Sequence, residues 1–215
     1  MKVKENRKTE KQKRAGIVFV ISAPSGAGKS TLCSELLRRF KDIRLSVSYT
    51  TRPPRKGEIN DVHYTFISRK KFKDMIAGGK FAEWAMVHGN LYGTSVDRLK
   101  KLSKEGLDIL LDIDVQGAKQ VKNSYKNAVY IFILPPSMEI LKRRLMKRKT
   151  EPKKALTLRL EKAKDEILSY KEYDYVIIND KIDNAYREFE SIILSSRLRT
   201  GKIDPKSIKT ILSHV

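Results

Sequence analysis

The stretch GIVFVISAPSGAGKST, residues 16–31, decides the fold. Its first part, residues 16–21, is continuously apolar and rich in β-branched side chains, which is typical of a strand buried on both faces of a sheet. A glycine-containing turn follows, and residues 30–40 then carry leucines at helical spacing. The first N–H groups of a helix are unpaired and carry the positive end of its dipole, so a loop at this position favours anions. The stretch therefore predicts a phosphate-binding loop in an α/β protein.

The residue types inside the loop support this interpretation. Gly26 and Gly28 allow backbone amides to close around phosphate oxygens, Lys29 is placed to reach the β- and γ-phosphates, and Ser30 is placed to ligate Mg²⁺. The usual pattern opens with glycine, and Ala23 takes that place here. A turn that merely caps a helix is the alternative, but it rarely places Lys-Ser directly after the last glycine. The residues assigned to the phosphates of a nucleoside triphosphate, with Mg²⁺ as its cofactor, are Ala23, Pro24, Ser25, Gly26, Ala27, Gly28, Lys29, Ser30 and Thr31.

Further along the chain, strands and helices alternate. Apolar runs at 107–113, 129–134 and 175–178 predict buried strands, and amphipathic patterns predict helices at 96–104, 115–121, 138–148, 154–170 and 185–198. This alternation indicates a parallel sheet flanked by helices. Residues 47–94 break the rhythm with short alternating stretches, several turn signals and one short helix near 70–76. We interpret them as an inserted subdomain rich in antiparallel strands.

Composition excludes several classes of protein. The chain has 215 residues, one cysteine and three histidines, which rules out an internal disulfide framework and offers no metal cluster. No apolar run approaches the roughly 18 residues needed to cross a bilayer, and residues 1–15 lack the apolar core of a secretory signal. We expect a cytoplasmic protein with no membrane partner; the oligomeric state stays open.

The net charge of +21 is unevenly distributed. Residues 1–15 hold seven basic and two acidic side chains, and residues 199–215 hold four and one. Neither end interleaves aromatic residues with its charges as a nucleic-acid stacking platform does. Both ends are therefore interpreted as solvated basic tails, and nucleic-acid binding is kept as the weaker alternative.

Two acidic residues, Asp112 and Asp114, lie at the end of the strand predicted at 107–113. Ligands of parallel sheets gather at the carboxyl ends of the strands, so these acids are expected to face the phosphates, directly or through the water shell of Mg²⁺. The alternative is that they start a turn and cap the helix that begins at Val115.

The insert holds a second group of residues suited to an anion. Arg52 and Arg55 flank two prolines, and guanidinium groups bind phosphate through paired hydrogen bonds. Tyr64 and Tyr92 can add neutral hydrogen bonds to the same phosphate. Taken singly, each of these residues is as well explained by packing or by a position on the surface.

Together with the phosphate loop, these residues resemble the guanylate kinase family from about residue 16 to residue 198. The most specific matches are TTRPPRKGE (50–58), YGT (92–94) and ILLDIDVQG (109–117). The resemblance implies ATP-dependent phosphorylation of GMP to GDP in a P-loop fold. Lys29 and Ser30 would serve ATP·Mg²⁺, and Asp112 would join Ser30 at the metal, possibly through water. The residues that the resemblance assigns to GMP are Ser48, Arg52, Arg55, Tyr64, Glu83, Tyr92, Thr94 and Asp112.

Chemistry supports the choice of base independently of the resemblance. Guanine presents two donors, N1–H and the 2-amino group, where adenine presents an acceptor at N1. A carboxylate such as Glu83 would accept from guanine and be left unpaired against adenine, which allows about 10⁴-fold discrimination. Without the surrounding motif, Glu83 would be interpreted as a solvated carboxylate.

The resemblance also identifies a lid. Residues 138–164 carry eleven basic and three acidic side chains, and arginines that close over a moving phosphoryl group contribute roughly 10³–10⁵ in rate. Arg144, Arg148 and Arg159 occupy the positions of the family's lid arginines and, with Lys29 and Arg52, form the expected catalytic set. Relatives commonly have glycine on both sides of the middle arginine, whereas this chain has Lys147 and Lys149, which leaves the hinge geometry open. A solvated basic helix pair is the alternative.

The expected organisation is a core of residues 16–45, 96–136 and 166–198, a GMP-binding insert of 46–95, a lid of 137–165, and tails at 1–15 and 199–215. Two other functions remain possible at this point. One is a kinase of a phosphorylated ribose, which would not require Glu83, and the other is a non-catalytic binding module of the same family, which would not require an intact phosphate loop.

Overall fold

A parallel sheet forms the centre of the protein. The computed structural model describes residues 14–87, 89–147 and 153–213. The sheet has five strands: β1 (Val18–Ser22), β2 (Ile43–Leu45), β7 (Asp108–Asp112), β8 (Val129–Leu134) and β9 (Tyr175–Ile178). Their order is β2-β7-β1-β8-β9, and every neighbouring pair is parallel. The strand that carries the phosphate loop is therefore central, as expected for an α/β fold with ligands at one sheet edge.

Helices cover both faces of this sheet, because successive side chains of β1 point to opposite faces and are apolar on both. Phe19 and Ile21 lie in one core with the helices α1 (Lys29–Arg39) and α7 (Ile182–Arg197), whereas Val18 and Val20 lie in a second core with α3 (Val96–Lys104) and α4 (Val115–Ser124). A strand between two cores must be apolar at every position. Cys33 belongs to the first core, and burial raises the pKa of its thiol to about 12, as expected of an inert core cysteine.

The inserted subdomain forms a second sheet. Its strands are β3 (Tyr49–Thr50), β4 (Thr65–Phe66), β5 (Phe81–Val87) and β6 (Asn90–Ser95), in the order β4-β3-β6-β5. β3 pairs with β4 in parallel, and the other two pairs are antiparallel. The helix α2 (Arg69–Ala77) packs on this sheet through Phe72, which stacks on Phe81 with ring centroids 4.4 Å apart. The sequence prediction of an insert rich in antiparallel strands is confirmed.

Three helices complete the described chain: α5 (Met138–Lys147), α6 (Lys153–Leu168) and α8 (Pro205–Leu212). Leu141 and Leu145 of α5 and Ala163 of α6 share a small core of their own. No helix within 14–87, 89–147 and 153–213 is long and apolar enough to cross a membrane.

The structure differs from the sequence prediction at several boundaries. β2 was not predicted, because it has three residues of which only Ile43 is buried. α7 begins at Ile182, three residues before the predicted start. In the segment 199–215, predicted as a solvated tail whose isoleucines can form one short helical face, α8 does form, and its Ile208 and Ile211 are exposed.

Candidate active site

The phosphate loop connects β1 to α1 by a turn that only glycine fits well. Gly26 and Gly28 have φ values of +90° and +95°, a region that side chains with a Cβ rarely adopt. The N–H of Ala27 donates to the carbonyl of Pro24 at 3.1 Å, which closes the loop ahead of the helix. Gly28 is the N-cap of α1, so the unpaired amides of the first helical turn border the loop.

A buried asparagine supports the loop from behind. Asn179 follows β9, and its side-chain amide donates to the carbonyl of Ala27 at 2.7 Å. Arg144 of α5 donates to the same carbonyl at 3.2 Å and to the carbonyl of Asn179 at 2.9 Å. A Cβ at Gly28 would lie 2.3 Å from the Asn179 amide nitrogen. The loop therefore has little freedom to change shape on this side.

Lys29 links the loop to the neighbouring strand. Its ammonium group lies 2.6 Å from an Asp112 carboxylate oxygen and donates to the carbonyl of Ile113 at 3.0 Å. β1 and β7 place Asp112 beside Ile21, so this acid lies next to the phosphate loop, and its role toward the phosphates stays a prediction. Asp114 instead accepts from the N–H of Gly117 at 2.8 Å and is the N-cap of α4. The helix-cap alternative thus applies to Asp114.

The oxygen donors at this edge suit magnesium. Ser30, at the start of α1, supplies a hydroxyl, and the Asp112 side chain is 31% exposed and supplies a carboxylate. No group of three or more His, Cys, Asp or Glu residues able to hold a metal occurs among the described residues. Mg²⁺ is usually held by one or two protein oxygens together with substrate phosphates and water, which matches this donor set.

In the insert, one carboxylate organises the two arginines. Glu58 accepts from both Nη atoms of Arg52 at 2.8 and 2.9 Å, and it accepts from the backbone N–H of Arg55 at 2.7 Å. The hydrogen bonds from Arg52 and then from Arg55 lower the pKa of Glu58 to about 2. The bond to Glu58, more than any other contact, raises the pKa of Arg52 above its ordinary value. The pair stays charged at all working pH values.

Aromatic rings surround the Arg52 guanidinium. It lies 5.5 Å from the Tyr64 ring centroid and 5.8 Å from that of Phe66. Tyr64 and Tyr92 meet edge to face at 5.9 Å, so the two predicted tyrosines lie together near Arg52. Burial raises the pKa of Tyr64, which keeps its hydroxyl protonated and available as a donor.

Glu83 and Thr94 form the most buried polar pair of the insert. They face each other across β5 and β6, and the Thr94 hydroxyl donates to Glu83 Oε1 at 2.6 Å. Glu83 is 6% exposed and Thr94 is fully buried. Burial raises the pKa of Glu83, with the Thr94 hydrogen bond opposing that shift. Oε1 of this carboxylate accepts a hydrogen bond from Thr94. Because a buried charged oxygen without a donor is energetically costly, a further hydrogen-bond donor from a ligand would be favourable.

One cleft is lined both by residues of the insert and by residues at the end of β7 next to the phosphate loop. It is lined by Ser48, Tyr64 and Thr94 from the insert, and by Leu111, Asp112 and Ile113 from the end of β7. Asp112 and Ile113, the two residues that Lys29 contacts, therefore line the same cleft as Ser48, Tyr64 and Thr94, which are predicted to bind GMP.

The predicted lid arginines are only partly described. Arg144 contacts the phosphate loop as stated above, and Arg159 is half-buried on α6. Arg148 lies outside the described residues. Of the three predicted lid arginines, Arg144 is the one that the structure shows in contact with the phosphate loop.

Sequence reasoning assigned no role to Glu58 or Asn179. Glu58 lies six residues after Arg52 in the same motif, so its charge and spacing were an available signal. Asn179 is a polar residue directly after a buried strand, at the edge where ligands gather. Its contact with Ala27 spans 152 positions and has no local signal.

Comparison with known proteins gives a consistent result. The family model for guanylate kinase matches residues 16–196. A guanylate kinase of Geobacter metallireducens is 49% identical over 191 residues, which cover 89% of this chain and 94% of the relative. One of Neisseria gonorrhoeae is 46% identical over 189 residues, covering 88% and 92%. The crystal structure of guanylate kinase from Anaplasma phagocytophilum aligns with a TM-score of 0.69 at 35% identity and covers 89% of this chain and 91% of that one.

Proposed function

The chain belongs to the guanylate kinase family, and from that premise we propose how its residues divide between the two substrates of ATP-dependent GMP phosphorylation. The reaction is ATP + GMP = ADP + GDP. One observation carries the proposal: a single cleft joins Asp112, the partner of Lys29, to Ser48, Tyr64 and Thr94. A phosphate donor at the loop and an acceptor in the insert would therefore meet across it.

On the donor side, the amides between Gly26 and Thr31 would hold the ATP phosphates. Gly26 and Gly28 support this because their positive φ values aim successive N–H groups into one concave turn. Lys29 would exchange its contacts with Asp112 and Ile113 for phosphate oxygens when ATP binds. The loop carbonyl of Ala27 is held by Arg144 and Asn179, so the cradle needs little reorganisation.

On the acceptor side, Arg52, Arg55, Tyr64 and Tyr92 would hold the GMP phosphate. Arg52 donates to Glu58 through both Nη atoms and to the Pro53 carbonyl at 2.8 Å, so its guanidinium is held in place and would turn N–H groups from these partners to the phosphate when GMP binds. Glu83 would accept from guanine, assisted by Thr94, while Ser48 and Asp112 would surround the base and its nearby polar atoms. The short Thr94–Glu83 bond supports this role because it fixes the carboxylate before a ligand arrives.

The transfer itself needs no side-chain base. An oxygen of the GMP phosphate is already anionic; it forms a bond to the γ-phosphorus while the bond to the β,γ-bridging oxygen breaks, and the electron pair leaves on ADP. Catalysis is then positioning and charge neutralisation by Lys29, Arg52, Arg144, Arg148 and Arg159. Mg²⁺, held through Ser30 and Asp112 or their water shell, would supply further charge neutralisation at the phosphates.

The same assignment divides the chain into a core of 16–45, 96–136 and 166–198, a GMP-binding insert of 46–95 and a lid of 137–165. The separate sheet of the insert and the small separate core of α5 and α6 support this division. Closure of both parts over the substrates would exclude water, which otherwise accepts the phosphoryl group.

A coupled assay of ADP formation with GMP, AMP, UMP and a phosphorylated ribose tests the function. We expect turnover with GMP far above the others. Equal or higher turnover with the phosphorylated ribose would contradict the base assignment, and ATP binding without turnover on any acceptor would indicate a non-catalytic module.

Glu83→Gln tests the base reader within that assay. The amide keeps the size of the side chain but replaces one acceptor by a donor, so we expect kcat/KM for GMP to fall by at least about 10²-fold while that for AMP does not fall. An unchanged ratio of the two kcat/KM values would remove Glu83 from guanine recognition. Unchanged KM for ATP is the internal control.

A further inference from the structure

The strand that carries Glu83 lies at the edge of the insert sheet. In the order β4-β3-β6-β5, β5 has β6 on one side, and the described residues supply no strand on the other. Backbone N–H and C=O groups on an open strand edge lack partners unless another element supplies them. The pairing of β5 with β6 is also irregular between Phe81 and Glu83, immediately before the proposed base reader.

A helix of the core occupies the open edge. The Gln120 side chain of α4 accepts from the N–H of Trp84 at 3.0 Å and donates to the carbonyl of Trp84 at 3.0 Å. One turn further, the Ser124 hydroxyl donates to the carbonyl of Ala82 at 3.0 Å. A glutamine side chain has the same donor and acceptor as a peptide group, so Gln120 pairs with Trp84 as another strand would.

These contacts flank Glu83 on both sides. Ala82 and Trp84 are its immediate neighbours, and both are fixed to α4, while Thr94 holds the Glu83 carboxylate from β6. The fit against α4 is close, because a Cβ at Gly117 would lie 3.2 Å from Glu83 Oε2. A carboxylate that must meet two donors of a base depends on such placement, since hydrogen bonds weaken steeply with poor geometry.

We propose that Gln120 is a positioning residue for guanine recognition, acting by fixing the backbone of Trp84 next to Glu83. The inference rests on the proposed role of Glu83. It adds that specificity for the base depends on a contact between the core helix α4 and the insert, outside the cleft itself.

The test compares Gln120→Met with Lys119→Met. Methionine preserves the bulk of glutamine but makes neither bond to Trp84. Lys119 is the adjacent residue of α4 and pairs with Glu172 at the surface, 3.0 Å away. Trp84 is the only tryptophan of the sequence, so its fluorescence reports on the clamped strand, while isothermal titration calorimetry measures GMP binding without turnover.

For Gln120→Met we expect the Kd for GMP to rise about tenfold, the size expected for two neutral hydrogen bonds, and the GMP/AMP ratio of kcat/KM to fall. The KM for ATP should stay within about twofold, and Lys119→Met should match the wild type. Wild-type GMP binding in folded Gln120→Met would overturn the inference, as would equal losses for GMP and ATP.

Two further variants keep the test decisive. Gln120→Glu retains the acceptor for the Trp84 N–H but sets a carboxylate oxygen against the Trp84 carbonyl, so we expect a Kd at least as high as that of Gln120→Met, and a wild-type Kd would count against the clamp. Combining Gln120→Met with Glu83→Gln should add little to the specificity loss of Glu83→Gln alone, whereas full additivity would contradict action through Glu83. If Glu83→Gln lowers the ratio and Gln120→Met does not, the clamp fails and the proposed function stands. If Glu83→Gln itself has no effect, the base reader fails first.

Discussion

Glu58 places one carboxylate between two arginines that are proposed to bind the same phosphate. It fixes the Arg52 guanidinium by two bonds and the Arg55 backbone by one. Because Arg52 would lose its charged partner, we expect Glu58→Gln to raise the KM for GMP by roughly tenfold, the effect of losing one hydrogen bond to a charged group. The KM for ATP should stay unchanged. Steady-state kinetics with each substrate varied in turn measure this. A lowered KM for GMP would instead identify Glu58 as a competitor of the phosphate.

The same carboxylate predicts a pH dependence of stability. The pKa of Glu58 is lowered from 4.5 to about 2 by Arg52 and Arg55, so its contribution is complete above about 4.5 and is lost as the pH falls toward 2. The stability difference between wild type and Glu58→Gln, from urea unfolding, should therefore shrink over that window. Glu35 is the matched control: Arg38 and Arg39 lower its pKa to about 2 as well. Glu35→Gln should show the same pH trend with an unchanged KM for GMP.

Lys29 is the residue on which turnover depends most directly. Its ammonium group is bonded to Asp112 and Ile113, so it is already held at the edge where phosphates are proposed to bind. Lys29→Met should lower kcat by at least about 10²-fold, because a preorganised charge at the transferred group is lost. Thermal unfolding and circular dichroism should show an intact fold. A variant that keeps near-wild-type kcat would exclude this role.

At the scale of elements, the phosphate loop combines an unusual backbone with a tight contact. Gly28 has a φ of +95°, and a Cβ there would meet the Asn179 amide at 2.3 Å. Gly28→Ala should therefore add a steric clash to a backbone penalty of about 1–2 kcal/mol. Gly57 has a φ of +86°, and a Cβ there would meet no described atom within 4 Å, so Gly57→Ala isolates the backbone penalty.

We expect Gly28→Ala to be the less stable of the two in urea unfolding and to lose ATP binding measured by calorimetry. Gly57→Ala should bind ATP as the wild type does. Equal stabilities would show that Asn179 yields without cost and that the loop is less constrained than its contacts indicate.

The elements also show what the sequence could and could not predict. β1 and the loop were predictable because a two-sided buried strand and a glycine turn leave local signals in adjacent residues. β2 was missed since its register with β7, not its three residues, makes it a strand. The clamp of Gln120 on Trp84 and the support of Ala27 by Asn179 join residues 36 and 152 positions apart, and such contacts depend on the finished fold.

At the scale of the whole molecule, the residues proposed for the two substrates belong to two different sheets, which share one buried cluster through Ala82 of β5. The phosphate loop follows a strand of the central sheet, whereas Glu83 lies on a strand of the second sheet and Arg52 lies in the loop after β3 of that sheet. Arg98 of α3 joins the two by donating to the carbonyl of Val47 at 2.8 Å and to the Thr65 hydroxyl at 3.1 Å. With Gln120 on α4, the insert is thus attached to the core through two helices of one face.

A buried cluster of charged residues around Asp108 joins the start of the described chain to the end of α7. Asp108, at the start of β7, is fully buried and accepts from Arg14 at 2.6 and 2.7 Å, from the N–H of Ile17 at 2.8 Å and from Arg197 at 2.8 Å. It therefore ties the first described residues to the end of α7. Asp108→Asn leaves two arginines facing a neutral amide, and breaking a buried pair in this way costs about 3–5 kcal/mol.

Urea unfolding should show this loss as one cooperative transition at lower denaturant, with KM for both substrates unchanged under conditions where the variant is folded. Asp97→Asn is the surface control, because Asp97 is 70% exposed and lies 3.7 Å from Lys80. We expect it to stay within about 1 kcal/mol of the wild type. If Asp108→Asn also changed the free energy of unfolding by less than about 1 kcal/mol, the ion pairs of Asp108 with Arg14 and Arg197 would not contribute to the stability of the folded protein. If it raised the KM for GMP, the cluster would be coupled to the insert, which its position at the opposite end of β7 from Asp112 argues against.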